Sequence, residues 1–254
     1  NNNQYELDGE WVDFTETDQN FKVKLFGPFN ITYPIKMYHS AHGPVLKDNN
    51  KAYALRFVGM NDVNHSTAWL KMNKSKNIDE WLDALRMEQL ASLNLVYADK
   101  DDNIFFVHNA KSPVRVPNYN WKQVVPGNKS ELIWTDFHPF ESVPQILNPS
   151  SGYIFSTNQN PFFVTAKEDN LSLSNFNPTM GFQTRTTNRA YRAYELLDAD
   201  KSISFSELDK YKHDNKFSYN SRQYKFMEEI FNHEFSENKL KNAQKFLRDW
   251  DLAT

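Results

Sequence analysis

Residues 148–162 read Asn-Pro-Ser-Ser-Gly-Tyr-Ile-Phe-Ser-Thr-Asn-Gln-Asn-Pro-Phe, and strand patterns before this loop give way to helix patterns after it. Asn-Pro followed by Ser-Ser-Gly is typical of a tight reversal. The apolar residues 153–155 then predict a short buried strand. The amides of Asn158 and Asn160 follow, and amides fixed at a strand end can donate hydrogen bonds to a developing oxyanion. The same residues also fit an ordinary polar turn, so both interpretations stay open.

The sequence before this loop is dominated by strand patterns. The predicted strands are residues 5–7 and 10–14 joined by an Asp8-Gly9 hairpin turn, then 21–26, 31–38 and 52–58, and a second hairpin of 93–98 with 104–108. One helix interrupts them after Asn77, a predicted N-cap, with apolar residues at helical spacing through Leu85 and on to Leu90. Residues 112–149 are rich in Pro and Trp and predict a long, irregular but ordered excursion.

The sequence after the loop predicts helices. They are a helix capped by Thr187 or Asn188, a short helix opened by a Ser204–Glu207 capping box, and two more at 221–235 and 237–250. Strands first and helices last indicate an α+β fold. We therefore expect a single incomplete domain over residues 1–254, with 1–165 mostly strands and 186–254 mostly helices, because no element closes the fold after the last helix.

Charge and composition exclude several classes of function. The formal net charge is -3 and the basic residues are scattered, so neither nucleic acid nor an anionic membrane is an expected partner. The sequence has no run of apolar residues long enough to span a bilayer and opens with a polar stretch unlike a secretory signal. The absence of cysteine excludes disulfides, thiolate metal sites and a cysteine nucleophile.

Two motifs suggest metal sites and are better explained by structural roles. Residues 198–207 begin like a calcium-binding EF-hand loop, but Ile203 stands where glycine is needed and Glu207 comes two positions too early. The capping box accounts for these residues. His39 and His42 lie three apart on a predicted turn without a third ligand nearby, so a structural role is favoured. No Gly-Xaa-Ser-Xaa-Gly elbow or phosphate-binding loop occurs, and motif chemistry alone supplies no complete catalytic set.

Several short motifs, taken in order, resemble the penicillin acylase family of N-terminal-nucleophile hydrolases, in particular its β chain. They are His42-Gly43-Pro44, Ala52-Tyr53-Ala54-Leu55-Arg56, the helix region from Ala68-Trp69 through Asn77 to Trp81, Asn94-Leu95-Val96-Tyr97-Ala98-Asp99 with Asp102-Asn103-Ile104, Pro113-Val114-Arg115, Pro139-Phe140-Glu141, Asn148-Pro149, Gly152-Tyr153-Ile154, and Met180-Gly181 with Thr187-Asn188-Arg189. The last segment resembles acylases that cleave long-chain acyl amides. Each motif is weak by itself, but their shared order covers most of the chain.

The resemblance implies an αββα sandwich and a precursor that cuts itself to expose an N-terminal serine. That serine attacks a linear amide with its own α-amino group as the base. Asn158 matches the family's oxyanion-hole side chain, with Asn160 as the alternative if the register shifts by two. Arg189 matches an arginine that orients this asparagine and the nucleophile's amine. Trp69 matches a position that lines the acyl pocket in some members.

Further expectations follow from the same resemblance. Asp169 matches a position near a calcium site in some members, but its companion ligands would lie before residue 1, so we assign no metal ligand and name no cofactor. The partners are the remainder of the processed precursor and a small N-acyl substrate. The expected location is the periplasm or outside the cell.

The chain departs from the family pattern at its start. Residue 1 is Asn, and the family nucleophile lies several dozen residues before the His-Gly-Pro turn. We therefore expect a middle part of the β chain that is inactive by itself. The alternative function is an inactive ligand-binding or structural module of the same fold.

Overall fold

The computed structural model describes residues 3–49, 51–91, 93–108 and 111–253. Its strands are β1 (Gln4–Leu7), β2 (Glu10–Asp13), β3 (Thr15–Phe26), β4 (Phe29–Ser40), β5 (Gly43–Asp48), β6 (Lys51–Ala54), β7 (Asn94–Ala98), β8 (Ile104–His108), β9 (Ser112–Pro113), β10 (Phe137–His138) and β11 (Gln145–Leu147). Its α-helices are α1 (His65–Lys74), α2 (Ile78–Leu85), α3 (Asn188–Ala199), α4 (Phe205–Lys212), α5 (Arg222–Asn232) and α6 (Asn238–Arg248). The paired strands are antiparallel, and α3 to α6 follow all of them, so the α+β prediction is confirmed.

The amino-terminal hairpins form where the sequence predicts them. Asp8 and Gly9 both have positive φ, 51° and 88°, as a tight turn between β1 and β2 requires. β3 and β4 pair along almost their full length and begin a sheet of order β3-β4-β5-β6. The strand predicted at 52–58 is too long, because β6 ends at Ala54.

The chain leaves this sheet at Leu55. The amide of Leu55 donates to the Pro44 carbonyl at 2.8 Å, and Arg56 then donates to the carbonyls of His42 and Trp134. A Cβ on Gly43 would lie 2.3 Å from the Leu55 carbonyl oxygen, so the crossing requires glycine there. The Leu55 bond is the last one to β5, and the Arg56 contacts follow where the backbone leaves the ladder, in the middle of the predicted strand.

The main core lies on one face of a second sheet, of order β11-β8-β7. Ala68 and Met72 of α1 and Trp81, Ala84 and Leu85 of α2 pack there with Leu95, Phe105 and Val107. Phe106 points to the opposite face, where it packs with Ile146 and Val164. Since alternate residues of a strand face opposite sides, β8 is covered by helices on one side and by the segment after β11 on the other.

The predicted N-cap of α2 is present, but α2 is shorter than predicted and the local sequence pattern missed α1. Asn77 accepts a hydrogen bond from the Glu80 amide at 2.9 Å, as predicted for an N-cap, but α2 ends at Leu85. Leu90 is buried in the same core from the following loop. The local sequence pattern did not predict α1, because only Ala68 and Met72 of this helix are buried and its apolar stripe is correspondingly thin.

The carboxy-terminal helices begin at the predicted caps. Thr187 caps α3, Ser221 caps α5, and Ser204 and Glu207 form the complete capping box of α4. Residues 112–149 are irregular as predicted, with only very short strands and 3-10 turns. No helix within the described residues has the length and apolar character needed to cross a bilayer.

Candidate functional site

The loop after β11 is fixed at its base by side chains. Asn148 Oδ1 accepts from the Ile104 amide at 2.8 Å, which attaches the loop to the start of β8. Asp169 then accepts from the Ser150 hydroxyl at 2.8 Å and from the Ser151 amide at 2.7 Å. These donors lower the pKa of the Asp169 carboxyl, since they favour its charged form.

The strand predicted at 153–155 is wrong. The Phe155 amide donates to the Val164 carbonyl at 2.9 Å, and the Thr165 hydroxyl donates to the Tyr153 carbonyl at 2.8 Å, but no ladder forms. Phe155 is buried, as the apolar run predicts. A short apolar run indicates burial but does not distinguish a strand from a compact loop held by side chains.

Gln159 supports the loop from inside. Its side chain is 3% exposed, and its Nε2 donates to the carbonyls of Phe155 and Phe163 at 3.1 and 2.9 Å. Its Oε1 accepts from the Thr157 amide at 2.5 Å. These bonds satisfy the backbone polar groups that the absent ladder would have paired.

Asn158 and Asn160, the two candidate amides, have different surroundings. Asn160 is buried, and its Nδ2 lies within 3.2–3.3 Å of three acceptors on residues 184–186. Its Oδ1 accepts from the Phe162 amide at 3.0 Å. Asn160 therefore ties the loop to the segment that precedes α3, and its amide nitrogen faces protein acceptors.

Asn158 is exposed, and its backbone is left-handed with a φ of 65°. Its Oδ1 accepts a hydrogen bond from Arg189 Nη2 at 3.3 Å. Because a guanidinium group only donates, this bond fixes the orientation of the amide and turns Nδ2 away from Arg189. The structure thus brings the two predicted catalytic residues together. Within the described part of the chain, no acceptor binds Asn158 Nδ2, so this amide nitrogen is free to donate.

Arg189 is held by the first turn of α3. Thr187 Oγ1 accepts from the Ala190 amide at 3.4 Å, and Asn188 Oδ1 accepts from the Ser218 amide at 2.8 Å. Asn188 Nδ2 also donates to the Lys216 carbonyl at 3.3 Å. The helix start is thus attached to residues 216–218, and Arg189 stands beside its electropositive end.

A cleft of about 770 Å³ opens beside Asn158 and Arg189. Its apolar wall includes Phe155, Ala193, Leu196, Leu197, Leu208 and Phe217. Arg192 forms a bidentate ion pair with Asp214, with nitrogen–oxygen distances of 3.0 and 2.7 Å, and also contacts Glu195 at 3.0 Å. The hydrogen bonds from Arg192 lower the pKa of Asp214. Size and lining fit a small-molecule site.

A second support for the loop comes from the β7–β8 hairpin. Asn94 Nδ2 donates to the Gln159 carbonyl at 3.1 Å and to the Ser156 hydroxyl at 3.3 Å, while its Oδ1 contacts His108 Nδ1. Burial lowers the pKa of His108 to about 4. The imidazole is therefore neutral, and its Nδ1–H donates to Asn94.

Sequence patterns did not identify the supporting residues Gln159, Asn94, His108 and Arg192. Their partners lie far along the chain, as in the pairing of Asn94 with residue 159. Nothing in the local sequence around these residues points to their role.

Trp69 lies in α1, where its Nε1 donates to His65 Nε2 at 3.1 Å and its side chain is 37% exposed. It does not line the cleft beside Asn158. Its role in acyl binding stays a prediction.

The two aspartates at the start of the EF-hand-like segment have protein partners. Asp198 accepts from the Tyr153 hydroxyl at 3.1 Å, and Asp200 accepts from the Tyr211 hydroxyl at 2.7 Å. His42 is buried in the turn before β5. Among the residues described, no group of three or more His, Asp or Glu side chains is arranged to hold a metal ion.

Comparison with known proteins places these observations in a family. The sequence profile described as Penicillin amidase matches residues 1–254. The chain is 30% identical to penicillin G acylase of Escherichia coli over 161 residues, which cover 62% of this chain and 18% of that protein. It is 25% identical to the acyl-homoserine lactone acylase QuiP of Pseudomonas syringae pv. tomato over 206 residues, 78% of this chain and 23% of that protein.

The fold is also similar to that of a solved relative. The thermostable penicillin G acylase from Alcaligenes faecalis superposes with a TM-score of 0.70 at 21% identity, over 99% of this chain and 44% of that one. The predicted N-terminal-nucleophile hydrolase fold is thereby confirmed. The chain spans less than a quarter of the length of the two relatives compared by sequence. It belongs to the penicillin amidase family.

Proposed function

We propose that this chain is part of an amidohydrolase of the penicillin acylase type, which cleaves the linear amide bond of an N-acyl compound. The similar proteins are named as acylases of penicillin G and of acyl-homoserine lactones. The observation that carries the proposal is the hydrogen bond from Arg189 to Asn158, because it leaves the Asn158 amide nitrogen facing outward next to the cleft.

In the proposed reaction the nucleophile is an N-terminal serine of the processed precursor, outside residues 1–254. Its hydroxyl oxygen attacks the amide carbon while its own α-amino group takes the hydroxyl proton. The carbonyl electrons move onto oxygen, and Asn158 Nδ2 donates a hydrogen bond to this oxyanion. Collapse expels the amine, which takes the proton, and water then hydrolyses the acyl-enzyme ester.

Arg189 has two proposed roles. Its Nη2 orients the Asn158 amide, so that no rotation is needed when the oxyanion forms. Its positive charge, added to that of the α3 amino-terminal end, also favours negative charge at the site. Arg189 acts through Asn158 and is a positioning residue in this respect.

The proposed partners are the remaining polypeptide of the same precursor and a small N-acyl substrate, and the proposed location is the periplasm or outside the cell. These proposals rest on the family resemblance. Because the nucleophile lies elsewhere in the precursor, the 254 residues alone are proposed to be inactive.

The test is Asn158→Gly in the full-length, self-processed enzyme. Glycine tolerates the left-handed backbone of Asn158, so this change removes the amide without adding strain. We expect kcat to fall by about 10²–10³, as for removal of one oxyanion donor. Asn118→Gly is the matched control, since Asn118 is also exposed and has a φ of 70°.

Wild-type turnover of acyl amides by Asn158→Gly would overturn the assignment of this residue. Mass spectrometry of the wild-type protein tests the wider proposal. An intact, uncleaved precursor without amidase activity would indicate a ligand-binding module of the same fold.

A further inference from the structure

The long β3–β4 hairpin has two chemically different faces. Cross-strand pairs such as Phe21 with Tyr33 and Val23 with Ile31 alternate with pairs such as Lys22 with Thr32 and Lys24 with Asn30. Because alternate residues of a strand face opposite sides, these pairs separate into an apolar and a polar face. The apolar face carries Phe21, Val23, Ile31, Tyr33, Ile35 and Met37, with Thr17 and Gln19 at the end nearest the body of the sheet. The polar face includes Glu16, Asp18, Lys22, Lys24, Thr32 and Lys36.

The apolar face is uncovered by the described residues. Tyr33 is 62% exposed, and even Ile35 and Met37, nearest the body of the sheet, are 39% exposed. By contrast, the polar face is suited to water and carries an ion pair between Lys36 and Glu16 at 2.7 Å.

The hairpin receives little support from the rest of its sheet. β4 pairs with β5 only at Tyr38, His39 and Ser40, so the ribbon beyond them has two strands. A two-stranded ribbon is marginal in water unless its apolar face packs on something. Burial of large aliphatic and aromatic side chains is the main favourable contribution to such packing. An exposed patch of this composition marks an interaction surface.

We propose that the apolar face of the β3–β4 hairpin is a docking surface for polypeptide of the same acylase outside residues 1–254. This inference rests on the proposed function in one respect, that these residues work within a longer acylase chain. The superposition on the Alcaligenes faecalis enzyme includes 99% of this chain but only 44% of that one, so the relative carries more than half its chain beyond the matched fold. Polypeptide of this length is available to cover the hairpin.

Other exposed apolar side chains favour this occupant over a second copy of the chain. Phe205 of α4 is 89% exposed, Phe246 of α6 is 80% exposed, and Val124 is 80% exposed. Because these side chains lie on elements other than the hairpin, a partner that buries all of them must contact the chain on several sides. A two-fold dimer covers one patch on each protomer and would leave the others bare.

Photo-crosslinking in the full-length protein tests the inference. Benzoylphenylalanine replaces Tyr33 on the apolar face or, as the matched control, its neighbour Thr32 on the polar face. The probe at 33 should form links within one molecule to residues outside 1–254, at least tenfold above the probe at 32 and independent of protein concentration. Links between copies that grow with concentration, or equal yields from both probes, would overturn the docking surface.

A charge substitution gives a second readout. We expect Tyr33→Lys to lower the midpoint of thermal unfolding of the full-length protein by several degrees, and Thr32→Lys to leave it nearly unchanged. Equal midpoints for the two variants would contradict burial of the apolar face. Crosslinking of Asn158→Gly should remain normal, so failure of the docking surface and failure of the proposed catalytic role are distinguishable.

Discussion

Arg189 Nη2 donates to Asn158 Oδ1 at 3.3 Å across 31 residues of sequence. The bond joins the first turn of α3 to a loop residue with a φ of 65°, so both backbones must be held for it to form. Gln159 and Asn160 hold the loop, and Thr187 and Asn188 hold the helix start. The orientation of the Asn158 amide is therefore a property of the surrounding fold.

Removing the Arg189 guanidinium should release the Asn158 amide. We expect Arg189→Gln to lower kcat of the full-length enzyme about 5–30-fold with a smaller change in KM, which corresponds to about 1–2 kcal/mol for an exposed charge-assisted hydrogen bond. Arg185→Gln, also exposed and nearby, serves as the control and should retain activity. Steady-state kinetics on an N-acyl substrate measure both; a loss confined to KM would contradict the positioning role.

The fold was predictable where local chemistry decides it. The Asp8-Gly9 turn, the Asn77 cap and the Ser204–Glu207 capping box each depend on a few adjacent residues, and the structure contains all of them. The prediction failed where distant contacts decide it. β6 ends where the Arg56 side chain binds the carbonyls of His42 and Trp134, and 153–155 forms no strand because side chains replace the ladder.

The candidate site was predictable only through family resemblance. Composition left Asn158 and Asn160 equivalent, because both are amides in the same polar segment. Their difference arises from the tertiary structure, since Asn160 faces the carbonyls of residues 184 and 185 while Asn158 faces Arg189. The contribution of His108 and Asn94 required knowing that β7 and β8 pair beside the loop.

Gln159 should be important for stability rather than for chemistry. Gln159→Leu leaves the Phe155 and Phe163 carbonyls and the Thr157 amide without their side-chain partner. Unsatisfied buried polar groups cost about 1–3 kcal/mol each, so we expect a loss of roughly 2–4 kcal/mol after relaxation. Urea unfolding measures the loss, and Gln123→Leu, at an exposed position, should change the unfolding free energy by less than about 0.5 kcal/mol.

The stability of the protein should depend on pH through His108. Its pKa of about 4 lies below the ordinary value of 6.5, so the unfolded chain binds a proton more readily than the folded one between these values. The contribution of neutral, buried His108 to the unfolding free energy is therefore fully present above about pH 6.5 and is lost as the pH falls towards 4. Below pH 4 the unfolding free energy no longer changes through this group. The total change is on the order of 3 kcal/mol, at 1.36 kcal/mol for each pKa unit.

His108→Asn should remove this part of the pH dependence, because asparagine does not titrate. His213→Asn is the matched control, since it replaces an exposed histidine at the carboxy-terminal side of α4. Thermal unfolding midpoints between pH 4 and 7 provide the comparison. An identical slope in His108→Asn and in the wild-type protein would show that His108 is not buried in its neutral form.

The ion pair of Arg192 with Asp214 should stabilise the cleft wall. Both side chains are less than a fifth exposed, at 19% and 17%, and two nitrogen–oxygen contacts hold them. We expect Asp214→Asn to cost about 1–3 kcal/mol at neutral pH, because Arg192 keeps its charge and loses its carboxylate partner. The pair also lowers the pKa of Asp214 below its ordinary 3.8, so the cost of Asp214→Asn should persist down to that pH and shrink only below it.

Asp101→Asn is the control, since it breaks the exposed pair with Lys100 and should cost less than about 1 kcal/mol. Urea unfolding at pH 7 measures both variants, and equal losses would mean that the Arg192–Asp214 pair contributes no more than a surface contact.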